Sequence, residues 1–141
     1  MKQFYDRATN TLEGDVKMRY MTLVKSSENS GPPPPELMKA IAKLGEDASK
    51  RGKMLETGGL APTAMSNRVR LANGKVTVID GPFAETKEVV GGYAVFEVES
   101  KQEMIEATVQ FMELHREHWP GWEGETEIRQ VFGPADFNPP G

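Results

Sequence analysis

The chain is 141 residues long, the length of one domain, and its 38% hydrophobic content is enough for one core. Its 21 acidic residues against 17 basic ones give a net charge of −4, without the basic excess of a nucleic-acid-binding surface. Cysteine is absent, which excludes disulfides and thiolate chemistry, and no apolar run matches a membrane span or a signal peptide, so a cytoplasmic protein with neither nucleic-acid nor membrane partners is expected.

Residues 1–17 show no sustained periodicity and are expected to form a flexible leader. The texture changes at Met18, where Arg19, Tyr20, Met21, Thr22, Leu23 and Val24 read as a strand. Residues 26–35 form a loop ending in four prolines, with Pro35 suited to the first turn of a helix. Leu37, Ile41, Leu44 and Ala48 are spaced 4, 3 and 4 apart, which predicts an amphipathic helix that Gly52 stops. Residues 54–57 read as a short strand and residues 60–66 as a loop. Residues 67–71 and 75–79 alternate around Ala72-Asn73-Gly74, and Asn-Gly between alternating runs predicts a tight hairpin. Asp80-Gly81-Pro82-Phe83 then breaks the pattern as a loop. Residues 89–98 read as the strongest strand. Ser100 with Glu103 forms a capping box, and Met104, Ile105, Thr108, Phe111, Met112 and His115 lie along one helical stripe. Residues 127–132 read as a last strand and 133–141 as a Pro-rich tail.

The resulting order, β-α-β-hairpin-β-α-β, predicts an α+β domain over residues 18–132 on a split βαβ plan with an inserted β-hairpin. Tyr93 and Val95 alternate with Ala94, Phe96 and Val98, while Tyr20 and Val24 alternate with Met21 and Leu23, so both faces of two strands are apolar. Helices can cover only one of them. A homodimer through the other sheet face is therefore expected.

The 80–88 loop concentrates the chemistry. Asp80, held by the Gly81-Pro82 turn, is the candidate catalytic acid or base. Glu85 and Lys87 are candidate ligand-binding groups, with Phe83 as an apolar anchor and Tyr93 on the following strand. Arg68, on the first hairpin strand, is a candidate anion-binding group. The same residues also have plain structural readings: a carboxylate accepting loop N–H groups, a core phenyl ring and a solvated ion pair. His115 and His118 lack a third ligand, so no metal and no cofactor is expected. Trp119 and Trp122 read as a lid on the core edge or a subunit contact, or as a platform for a planar ligand.

Asp80-Gly81-Pro82-Phe83-Ala84-Glu85-Thr86-Lys87-Glu88, followed by Gly91-Gly92-Tyr93, resembles the signature of DGPF-domain proteins of the YCII-related family. Gly58-Gly59-Leu60-Ala61-Pro62, Arg68-Val69-Arg70 and His118-Trp119-Pro120 extend the resemblance. It implies a ferredoxin-like fold of the dimeric α/β-barrel superfamily. For some members an enzymatic His–Asp pair has been proposed, with the His soon after the first strand; residues 25–37 contain no His. Two functions are weighed on this basis. One is a cofactor-independent lyase or isomerase of a small molecule, with Asp80 as acid/base. The other is a non-catalytic ligand-binding or accessory protein.

Overall fold

A computed structural model describes residues 17–84 and 86–137. In chain order the elements are β1 (Met18–Ser26), α1 (Pro35–Lys50), β2 (Met54–Gly59), β3 (Asn67–Ala72), β4 (Lys75–Asp80), β5 (Val89–Val98), α2 (Lys101–His118), β6 (Gly124–Gln130) and a short α3 (Pro134–Phe137). Four strands form one sheet in the order β2-β5-β1-β6, and each neighbouring pair is antiparallel. The ribbon β3–β4 forms a second, separate sheet. It turns at Asn73 and Gly74, both at positive φ (53° and 75°), the geometry a two-residue hairpin turn demands.

The helices start where local chemistry places them. Pro35 occupies the first turn of α1, where its missing N–H leaves no broken bond. Ser100 caps α2 by accepting from the Glu103 N–H at 3.0 Å. The Glu103 carboxylate reaches back to the Glu99 N–H at 3.0 Å rather than to that of Ser100, and it also pairs with Lys53 at 2.8 Å. Both bonds hold Glu103 below the usual carboxylate range, the Lys53 contact being the larger cause.

Cross-strand partners share a face, and this sorts the sheet. Met18 faces Val98, Tyr20 faces Phe96 and Thr22 faces Ala94. This face lies under α2: Tyr20, Val98 and Met104 are its fully packed centre, with Met18, Phe96, Ala107 and Ile128 around them. The opposite face carries Met21 beside Val95 and Leu23 beside Tyr93 in its middle. Charged pairs flank these four: Arg19 with Glu97, and Lys25 with Glu127 at 2.7 Å. Among the described residues, no helix is long and apolar enough to cross a membrane.

The structure overturns the ferredoxin-like dimeric α/β barrel. It is a mixed α+β fold whose main sheet stays open and uncurled, ending on β2 and β6. A barrel needs its edge strands to meet at a fixed tilt and stagger. Here two central strands separate the edges, which at the usual strand spacing puts them about 14 Å apart. The ribbon bridges neither edge. Apart from Lys17, the expected leader lies outside the described residues, as do Glu85 and the end of the tail, 138–141.

Candidate functional site

Residues 60–66 and 80–86 meet at the base of the ribbon. The Gly81 N–H donates to the Ser66 carbonyl at 2.8 Å. A Cβ on Gly81 would overlap the Thr63 carbonyl oxygen and fall 2.8 Å from its carbon, so the loops touch only because residue 81 has no side chain. The Gly81–Pro82 peptide is cis. Phe83, 9% exposed, plugs the junction, and its N–H donates to Thr63 Oγ1 at 3.4 Å. Glu28, in the helical turn after β1, closes the junction from a third direction. Its carboxylate accepts the Thr63 N–H at 2.6 Å and the Thr63 hydroxyl at 2.8 Å. These two bonds, the backbone one foremost, hold the Glu28 carboxyl below its ordinary range.

The sequence-derived candidates divide around this junction. Arg68 Cζ lies over the Phe83 ring, 3.8 Å from its centroid, and the guanidinium donates to Thr86 Oγ1 at 2.8 Å. Phe83 anchors the loop. Asp80 is exposed and accepts from Asn67 Nδ2 at 2.6 Å. Lys87 is exposed. Tyr93 stands apart on the open sheet face, where its hydroxyl donates to Glu56 Oε2 at 2.6 Å; that bond, with some burial, raises its pKa. Arg68 and Phe83 are thus brought together, Asp80 lies at the neighbouring β3–β4 register position, and Tyr93 is not part of the group.

A cleft of about 630 Å³ opens nearby, where the end of β1, the end of the 80–88 loop and the turn from α2 to β6 converge. Ser27, Ser30, Glu88, Trp119, Trp122 and Glu125 are among its walls; Asp80, Arg68 and Lys87 are not. One side is an aromatic ladder running out of the core. Phe111 meets His115 edge-on at 4.7 Å between centroids, His115 lies 4.6 Å from Trp122, and Trp122 stacks on Trp119 at 5.7 Å and 21°. His115 is buried, its Nδ1 is 3.1 Å from the Phe111 carbonyl oxygen, and burial pushes its pKa down. Glu125 lies 4.0 Å from Lys25, whose closer partner is Glu127; the Glu127 bond is the main reason the Lys25 pKa is raised and the Glu127 pKa lowered.

Junction and cleft share a part. Glu28 grips Thr63 from the same short turn whose Ser27 and Ser30 face the cleft, and Glu88 ends the loop that Phe83 anchors. Sequence reasoning missed Glu28, Thr63, Ser27 and Ser30. The local signal for Ser27, Glu28 and Ser30 was a run of turn-forming residue types at 26–30, and for Thr63 a place in the 60–66 loop; each marks a turn but not its long-range partner. Among the described residues, no group of three or more His, Asp or Glu is placed to hold a metal.

The YCII-related domain matches residues 18–111, two thirds of the chain, and the chain belongs to that family. An uncharacterized protein of Rhizobium meliloti (strain 1021) is 30% identical over 70 residues, half of this chain. The chain spans about half of that relative's length, 56%. The family match ends inside α2, so the Trp119–Trp122 wall of the cleft lies beyond it.

Proposed function

We propose that this protein binds a small molecule without transforming it, that the tryptophan-walled cleft is its ligand site, and that it works as a homodimer. The cleft carries this reading. Its volume of about 630 Å³ falls within the range of small-ligand sites. Stacked indoles offer a platform to a planar or cationic group, and Ser27 and Ser30 bring hydroxyls to the same space. Glu88, Glu123 and Glu125 add negative charge, which favours a ligand with a cationic or hydrogen-bond-donating part. The position of Asp80 supports the non-catalytic side. A working acid or base needs a partly dry pocket and a reacting group within reach. Asp80 instead faces solvent and accepts from Asn67.

The dimer is supported by the open sheet face. Met21, Leu23, Tyr93 and Val95 occupy the middle of two adjacent strands on the side away from α2. Stacking two such open faces would remove them from water.

Trp119 and Trp122 are the two tryptophans of the chain, so intrinsic fluorescence reports directly on the cleft. Titration with a panel of aromatic amines and other small cations should find a ligand that shifts the emission and raises the melting temperature. Trp119→Ala should abolish the response and Asp80→Asn should leave it unchanged. Turnover of a cleft ligand that Asp80→Asn removes would overturn the non-catalytic reading.

A further inference from the structure

Five asparagines occur in the chain, and each is followed by a different residue. Asn73 precedes Gly74 at the tip of the β3–β4 ribbon, and both are exposed. The pair sets an electrophile beside a nucleophile: the Asn73 carboxamide carbon and the Gly74 amide nitrogen. Three features leave them free to meet. Gly74 has no side chain to shield its nitrogen, and the space where a Cβ would stand is open. The ladder closes with Ala72 opposite Lys75, and no backbone carbonyl of the described residues accepts the Gly74 N–H. The ribbon hydrogen-bonds to no other strand. A lone two-stranded ribbon is marginal in water, so its tip opens readily and the Asn73–Gly74 peptide can turn its nitrogen toward the carboxamide. The comparable positions are held. Ser30, which follows Asn29, donates its N–H to the Ser27 carbonyl at 3.3 Å. Asn67 donates its Nδ2 to Asp80 at 2.6 Å and is followed by Arg68 within β3. Asp80-Gly81 has the atoms for the same ring closure, but the Gly81 N–H donates to the Ser66 carbonyl at 2.8 Å and its Cα is pressed against Thr63.

We propose that Asn73 is a site of spontaneous, age-dependent modification, deamidating through a cyclic imide closed with Gly74. The Gly74 nitrogen attacks the Asn73 side-chain carbonyl carbon. A new C–N bond forms, the carboxamide C–N bond breaks, and the leaving nitrogen takes the Gly74 amide proton and departs as ammonia. Water then opens the five-membered ring at either carbonyl. One opening gives aspartate; the other gives isoaspartate, whose main chain runs through the β-carbon. Either product makes a chain already at −4 more negative by one unit. Aspartate tolerates the positive φ of residue 73 much as asparagine does. Isoaspartate lengthens the turn by one main-chain atom, which a two-residue hairpin closed at Ala72 and Lys75 does not accommodate, so the ribbon frays from its tip. Isoaspartate also carries a free α-carboxylate, the group that repair methyltransferases esterify.

The test ages the full chain in mildly alkaline buffer and follows its tryptic peptides by mass spectrometry. Cleavage after Arg70 and Lys75 isolates residues 71–75 from the peptides that hold Asn29 and Asn67. The 71–75 peptide should exchange ammonia for water and split into two chromatographic forms. One of the two should accept a methyl group from S-adenosylmethionine in the presence of an isoaspartyl methyltransferase. Asn73 should convert about tenfold or more faster than Asn29 or Asn67. Asn73→Gly keeps a residue suited to positive φ and removes the carboxamide, so it should abolish methyl acceptance by this peptide. A conversion rate at Asn73 below that margin overturns the proposal, as does aspartate forming there without isoaspartate.

Discussion

Replacing Gly81 by Ala should unlock the loop junction. The new methyl group would overlap the Thr63 carbonyl oxygen, and it would sit 2.8 Å from the Thr63 carbonyl carbon and 3.2 Å from the Ser66 oxygen. All three are backbone atoms, so no rotamer change relieves the clash. A carbon–oxygen contact normally needs about 3.3 Å, so the two loops must part by more than about 1 Å. Parting removes the Gly81 N–H to Ser66 bond, with a net cost of about 0.5–1.5 kcal/mol. It also loosens the burial of Phe83, worth about 1.5–3 kcal/mol when the side chain is fully released. Reduced freedom of the unfolded chain returns about 0.4–1 kcal/mol. The expected net loss is about 1–4 kcal/mol. Urea unfolding followed by circular dichroism measures it, provided the slope is unchanged. Gly91→Ala is the control, because a Cβ there meets nothing within 4 Å. It should change stability by less than about 1 kcal/mol. A Gly81→Ala protein within about 0.5 kcal/mol of the parent would refute the close-approach argument, since that margin is the usual effect of an inconsequential surface change.

Two further predictions concern pH. Glu28 is held below the ordinary carboxylate range by the Thr63 backbone and hydroxyl donors, so its contribution is present above the unfolded-state value and is lost as pH falls through the folded-state value. Glu28→Gln should therefore lower the melting temperature at neutral pH, with the difference shrinking as pH falls below the ordinary glutamate value of about 4.3, and a constant difference across that range would refute the assignment. His115 is folded as the neutral imidazole because burial lowers its pKa, so protons bind the unfolded chain first and stability falls as pH drops below the ordinary histidine value of about 6.5. His115→Gln should flatten that part of the melting-temperature profile, and an unaltered slope would show that another group titrates there.

Much of the local structure was written in the sequence. The Leu37, Ile41, Leu44, Ala48 spacing marks α1, although Leu37 is its one fully buried position. The Met104, Thr108, His115 stripe marks the face of α2 that is buried, and Ser100 marks its start. Asn73-Gly74 marks the ribbon turn. Each of these features depends on residues within about four positions of one another, where backbone periodicity and capping act directly. The apolar alternation of β1 and β5 likewise forecast two apolar sheet faces.

Long-range contacts decided the rest. Whether a sheet closes depends on what its edge strands meet, and no strand's own pattern states that; here β2 and β6 stay on opposite edges and the expected barrel does not form. From the sequence, Gly81 reads as part of the turn that holds Asp80. Its physical reason is a neighbour fifteen or more positions earlier, the backbone at Thr63 and Ser66. The pairing of Glu28 with Thr63 spans 35 positions and had no local trace. Tertiary structure also separated groups that the chain lists side by side: Glu88 reaches the tryptophan cleft, while Asp80 stays at the ribbon base with Asn67. A sequence determines its local elements because their bonds close within a few residues. A site determined by a cleft wall, a loop contact or a sheet edge exists only after distant segments have packed.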